Sequence, residues 1–381
     1  MPTSTEFPPA LLSQPPSARL AYFQAKVVAH PRLKETHRIL LQAVQQPAGA
    51  SFIFVFGPTG VGKTTLRLRL EQQLLEAAHS AMQQDPGHIP VAGLEAVAPE
   101  RGSFKWKDYY VRALRALDDP FLTHQTDYGV YGLRRDRVGR LVVGPHIPAA
   151  DLRWALERAL TQRRLLAFIV DEAQHFKKIA GGRRLLDQMD TLKSLASLTG
   201  TVHVLIGTYE LLGLADLSGQ LNRRSVDIHF PRYRADHTED MAAFQSVLLT
   251  FQRHLPLAQE PDLVGRTEYF YERSVGCVGV LKNWLTRALA ATLENGAETL
   301  TPQCLGHCAE PTRKLLRLAR EIKEGEEAFI ERDAQRAELR ALLNLSETDA
   351  LPVKPAAKPR GQVGQRKPTR DPVGRKPMPN G

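Results

Sequence analysis

The chain has three cysteines in 381 residues, Cys277, Cys304 and Cys308. So few exclude a disulfide scaffold and fit a reducing compartment. Cys304, His307 and Cys308 lie close together, yet no second ligand pair stands at a zinc-finger spacing. Ordinary helix-packing cysteines are therefore the expectation there. No apolar run reaches the about 18 residues of a membrane span, so no membrane partner is expected. The first residues, Met1 to Glu6, lack the basic-then-apolar layout of a signal peptide, and the low cysteine count fits a reducing cytoplasm. No segment recurs at a fixed period, which argues against a solenoid.

Acidic residues are in the minority, and the net charge is +10. The excess is unevenly placed. Between 352 and 381, Lys354, Lys358, Arg360, Arg366, Lys367, Arg370, Arg375 and Lys376 oppose only Asp371, a net +7 that leaves +3 for all the rest. The same stretch holds seven prolines and four glycines and almost no large apolar residue. Such a tail cannot bury a core and is expected to be disordered. Polyanion contact and simple solubilisation are both open for it.

What the chain does have is Gly57-Pro58-Thr59-Gly60-Val61-Gly62-Lys63-Thr64, followed by Thr65. The octet fits the phosphate-loop pattern of two glycines, lysine and a hydroxyl residue. An apolar run of strand length, Phe52 to Phe56, precedes it. Leu66, Leu68, Leu70, Leu74 and Leu75 follow at helical spacing. Glycines let the backbone curl round a phosphate with N–H groups pointing inward, and the helix N-terminus adds attraction for the anion. Lys63 is placed to reach the β- and γ-phosphates of ATP, and the Thr64 hydroxyl to hold Mg²⁺.

A second apolar strand, Leu165 to Val170, ends in Asp171-Glu172. Asp171 is the second candidate ligand for Mg²⁺, and Glu172 the general base for an attacking water. A third strand, Val202 to Ile206, ends in Gly207-Thr208. Thr208 reads either as a contact to the γ-phosphate or water, or as a plain turn residue. Arg223 and Arg224 precede a last strand, Arg224 through Phe230. They read as an arginine pair reaching a neighbour's nucleotide in trans, or as a solvated helix end. Lys282, in Gly276-x-x-Gly279-x-Leu281-Lys282, is a candidate γ-phosphate contact or an exposed helix lysine.

Strands and amphipathic helices alternate up to about residue 235, which predicts an α/β fold with a mostly parallel sheet covered on both faces. Short helices are expected near 18–28 and 32–46 and a longer one near 185–198. After 235 the pattern is helical: 237–255, 267–274, 278–294 and 302–323, with Thr301-Pro302 as a start signal, then a charged helix over 326–345. The expected division is 1–46 as arm and helices, 47–235 as the nucleotide-binding α/β domain, 236–325 as a helical lid, 326–350 as a terminal helix and 351–381 as tail.

This order resembles the AAA+ ATPases over about residues 45–310: phosphate loop, Asp-Glu strand, polar strand end, arginine pair and helical lid. Within them, several stretches are similar to the transposon-encoded regulators of the TnsC/TniB group, more distantly IstB and MuB. These are Asp171-Glu172-Ala173-Gln174-His175, Ala98-Pro99 followed by Gly102 to Tyr110, the Gly276–Lys282 segment and His30-Pro31. The resemblance implies an ATPase that oligomerises on double-stranded DNA as a ring or filament. It would link a target selector of the TniQ/TnsD kind to a transposase, with hydrolysis driving disassembly. The basic tail and the Arg-rich segment 129–140 depart from the family pattern.

DNA binding of that kind uses backbone contacts. Candidates are Lys105, Trp106 and Lys107, then Arg134, Arg135, Arg137 and Arg140, then Lys177, Lys178, Arg183 and Arg184. Each patch also reads as a solvated face, and Trp106 as core. Two further functions stay open. One is a secretion- or initiator-type AAA+ ATPase acting on protein partners, against which stands the lack of a winged-helix or peptidoglycan-binding pattern after the lid. The other is a nucleotide-gated scaffold that barely hydrolyses ATP.

Overall fold

A computed structural model of the chain describes residues 6–98, 104–117, 133–137, 141–144, 146–177, 183–215, 224–330 and 333–345. It divides into two units, Met1–Phe329 and Ile330–Gly381.

The first unit begins with helices α1 (Pro16–Ala25) and α2 (Pro31–Gln45). Strand β1 (Phe52–Phe56) leads through the glycine-rich loop into α3 (Lys63–Gln84). Then come β2 (Val91–Glu95), α4 (Trp106–Ala116), a small hairpin β3 (Leu133–Arg135) and β4 (Leu141–Val143), and α5 (Ala149–Gln162). The acid strand is β5 (Ala167–Asp171), followed by α6 (Arg183–Thr199), β6 (Val202–Gly207), α7 (Leu212–Ala215) and β7 (Ser225–His229). Five helices follow: α8 (Thr238–His254), α9 (Thr267–Ser274), α10 (Val278–Glu294), α11 (Pro302–Cys308) and α12 (Thr312–Glu327). The second unit carries α13 (Asp333–Leu342), a charged helix that leaves Leu339 and Leu342 exposed.

The main sheet is wholly parallel, in the order β2-β5-β6-β1-β7. Its central strands are buried on both faces, as their unbroken apolar runs require. Alternation within β1 splits them cleanly. Phe52, Phe54 and Phe56 face a core shared with α4, α5 and α6, while Ile53 and Val55 face one shared with α2 and α3. The long helices therefore sandwich the sheet. A third core joins Phe23 of α1 to Phe251, Phe270, Trp284 and Leu289 of the helical segment. The two N-terminal helices thus serve different layers: α1 packs with the helical segment and α2 with the sheet.

Two expectations about elements fail. The helix expected over 302–323 is two helices, α11 and α12. Ala309 is extended at φ −70°, ψ 151°, and Pro311 at φ −59°, ψ 140°, ahead of Thr312. Proline lacks the N–H and pushes its predecessor out of the helical region, so the helix must restart. Helix α12 then continues to Glu327, and the charged helix expected over 326–345 starts only at Asp333. The antiparallel pair β3–β4, in the Arg-rich stretch, is not among the expected strands. Thr301 caps α11 as expected, accepting from the Cys304 N–H at 3.2 Å.

Candidate nucleotide site

Sheet order decides what meets at the site. Strand β6 lies between β1, which carries the loop, and β5, which carries the acids. All three end on the same side, so Gly57, Thr208 and Glu172 come together there. The Gly57 N–H donates to the Gly207 carbonyl at 3.2 Å.

The loop wraps at the N-terminus of α3. Gly60 and Gly62 take left-handed backbones, φ 79° and 116°. Lys63 is 6% exposed, and its ammonium donates to the carbonyls of Gly57 and Pro58, each at 3.0 Å. Burial lowers its pKa, opposed by the charges of Glu172 and Asp171. Thr64 Oγ1 donates to Asp171 Oδ2 at 3.1 Å. Asp171, 2% exposed, also accepts from the Glu172 N–H at 2.9 Å through Oδ1. These hard oxygen donors, side by side at a helix N-terminus, are the chemistry that suits Mg²⁺.

Glu172 adopts φ 53°. Its carboxylate accepts a hydrogen bond from Gln174 Nε2. Pro58, Thr59, Gln174, His175 and Thr208 line a cavity of about 480 Å³ that α12 also walls. Thr208 Oγ1 and His175 Nδ1 are buried beside it without a hydrogen-bond partner among the described residues. Tyr209, next in the chain, donates or accepts with His229 Nε2 at 2.8 Å, and Phe329 stacks on His229 at 4.3 Å. Arg232 holds Glu326 of α12 through two contacts of 3.1 and 3.3 Å.

On the other side of the loop, α10 docks by its first turn. The Gly279 N–H donates to the Gly60 carbonyl at 2.7 Å. A Cβ on Gly279 would lie 2.5 Å from that oxygen, so only glycine allows this approach. A recess of about 160 Å³ opens here, lined by Val27, His30, Val61, Thr65, Val278 and Lys282 among others. His30 is buried against Tyr233, its Nδ1 3.0 Å from the phenol oxygen, and burial pushes its pKa down to about 4.

The other expected site residues are placed as follows. Lys282 lines the recess, but its ammonium is taken up by the Phe23 carbonyl and by the Lys26 carbonyl at 3.0 Å, over the Phe23 ring. It sits beside Thr65 rather than in the cavity with Pro58, Thr59 and Thr208. Burial and nearby Lys26 lower its pKa to about 8. Arg224 is exposed just before β7, at the opposite end of the parallel strands from the chain's own loop. Any role for it at a nucleotide is therefore one in trans. Arg223 lies outside the described residues, as do Arg140 and Lys178. Lys105, Trp106 and Lys107 open α4; Trp106 is half-buried against Phe104, Tyr109 and Tyr110. Arg134 and Arg135 are on β3, Arg137 follows it exposed, Lys177 closes a short 3-10 helix and Arg183 and Arg184 begin α6.

Sequence reasoning assigned no role to Gln174, His30 or Arg232. Each has at least one partner distant in sequence, which no local pattern announces.

A family profile described as an AAA domain matches residues 45–214. That span runs from before β1 to α7 and includes the loop, the acids and Thr208. Over those residues the chain is similar to an AAA domain. Its fold is the AAA+ phosphate-loop α/β fold. Among solved structures, it is similar to the ORC1 protein of Aeropyrum pernix in complex with DNA: 16% identity, TM-score 0.52, over 76% of this chain and 68% of that one. It is also similar to the ADP form of the ORC2 protein of the same organism: 15% identity, TM-score 0.50, over 76% and 71%. No curated protein matches in sequence. No described helix is long and apolar enough to cross a membrane.

Proposed function

We propose that this protein is an ATP-hydrolysing, DNA-binding regulator of transposition. The observation that carries the ATPase part is the 3.1 Å contact between Thr64 and Asp171, with Lys63 and Glu172 beside it. Lys63 binds the β- and γ-phosphates, the loop N–H groups cradle them, and Thr64 and Asp171 hold Mg²⁺. The metal supplies charge neutralisation on the phosphates. Glu172 orients a water and takes its proton, and Thr208 contacts that water or the γ-phosphate. Arg223 or Arg224 of a neighbouring copy adds positive charge in trans. The recess lined by His30, Thr65 and Val278 takes the base, and there Lys282 ties α10 to α1.

The transposition part draws on Asp171 to His175 and Gly276 to Lys282, which are similar to the TnsC/TniB group. It carries with it duplex DNA, a transposase, a TniQ/TnsD-like selector and assembly of this chain on DNA. An initiator- or secretion-type ATPase is the second reading, favoured by the fold likeness to the ORC chains.

Electron microscopy with random duplex DNA in ATP, a slowly hydrolysed analogue and ADP tests both. Rings or filaments on DNA with ATP or analogue, absent with ADP, are expected. Oligomers indifferent to DNA would sink the transposition reading and leave the protein-directed ATPase.

A further inference from the structure

Gln174 joins two parts of the site that are far apart in the chain. Its Nε2 donates to the Glu172 carboxylate, and its Oε1 accepts from the Thr208 N–H at 3.2 Å. The two bonds fix the amide's orientation, because a backbone N–H must face the oxygen and a carboxylate must face the nitrogen. The residue is 5% exposed. Gly207 makes the room: a Cβ there would lie 2.5 Å from Gln174 Oε1. Gln174 also lines the cavity beside the Thr208 hydroxyl and His175 Nδ1, which have no hydrogen-bond partner among the described residues, and beside Pro58 and Thr59 of the loop.

We propose that Gln174 is a positioning residue for hydrolysis, holding the Glu172 carboxylate by a hydrogen bond and anchoring it to the end of β6. The general base is thereby set by the same strand end that carries Thr208. Glu172 needs such a tether, since a carboxylate on a short turn otherwise samples several rotamers. The inference rests on Glu172 being the base.

Three variants test it, in single-turnover hydrolysis with protein in excess over ATP and Mg²⁺ and duplex DNA present. Gln174→Met removes both bonds. Gln174→Glu keeps the size and the acceptor but replaces the donor with a like charge. Gly207→Ala leaves Gln174 in the sequence and displaces its amide. Each is expected to lower the rate about tenfold to a hundredfold, the scale of a misplaced reacting group. Affinity and stoichiometry for a slowly hydrolysed analogue should stay at parental values, which a merely structural role would not allow. Should Gly207→Ala fail to fold, the two Gln174 variants decide.

Parental rates in both Gln174 variants would overturn the proposal. So would a faster rate, which would make Gln174 a restraint on the base, or a failure of analogue binding alongside the rate. Glu172→Gln, measured in parallel, separates the two ideas. If it hydrolyses at the parental rate, the base reading itself has failed. If it is inactive while the Gln174 variants are unchanged, only the role of Gln174 has failed.

Discussion

Glu172 occupies a left-handed backbone at φ 53°, which costs a non-glycine residue about 1–2 kcal/mol. The turn is what sends Asp171 towards Thr64 and Glu172 towards Gln174 from adjacent positions. Asp171 is committed to Thr64 and the backbone, and Glu172 to an amide. Removing the proposed base without changing its shape should therefore leave nucleotide binding intact. Glu172→Gln is expected to bind the ATP analogue with parental affinity and to turn over about 10²–10⁴ times more slowly. On the proposed function, assembly on DNA in ATP should then outlast that of the parent. Turnover at the parental rate in a phosphate-release assay would remove Glu172 from the mechanism. The loop, Asp171 and Glu172 were legible in sequence because each sits in a short pattern flanked by apolar residues. Gln174 was visible in its motif, but its partner Thr208 is on another strand, so its role was not.

At the scale of elements, the docking of α10 on the loop depends on one backbone contact. Gly279→Ala would put a Cβ 2.5 Å from the Gly60 carbonyl, and a rigid backbone cannot yield as a side chain would. A decrease of about 1–3 kcal/mol in stability is expected from overpacking. Nucleotide affinity should fall with it, because α10 lines the recess and touches the loop together. Urea denaturation and analogue titration measure the two effects; parental values in both would mean that the contact carries nothing. The cap of α11 is a simpler case. Thr301→Ala should cost about 1 kcal/mol, read from the same denaturation curves, with nucleotide affinity unchanged. That cap was readable from Thr301-Pro302, whereas the restart at Pro311 was missed. Apolar periodicity continued across the proline, and the backbone constraint outweighed it.

For the molecule as a whole, two buried histidines and a half-buried one make stability depend on pH. His30, His203 and His229 are each pushed to about 4 from an ordinary 6.5, chiefly by burial. Their neutral forms suit the fold, and the unfolded chain takes up protons first as pH falls. The stability they allow is complete above about pH 6.5 and declines progressively towards pH 4. The melting temperature should fall between pH 7 and 5, where histidine is the main titrating side chain; a flat profile would mean that they are not held neutral. The proposed binding to duplex DNA belongs to the same scale, since it would depend on summed positive charge. Lys105→Glu with Lys107→Glu is expected to weaken DNA binding and to reduce the salt slope by about one for each phosphate left unneutralised. An unchanged affinity and slope would make the start of α4 a surface like any other.

The sequence alone determined the chemistry of the phosphate loop, the acid strand and the alternation of strand and helix. Those signals are local: a few residues with fixed spacing decide which backbone forms and what charge it presents. Only the tertiary structure decided that β6 lies between the loop strand and the acid strand, which lets Gln174 reach Thr208. It also decided that β7 runs parallel to β1, which puts Arg224 at the far end of the strands from the loop, and that the two N-terminal helices serve different cores. Strand order is set by which apolar faces bury best against the helices on each side, a sum over contacts far apart in the chain. No spacing along the chain records that sum.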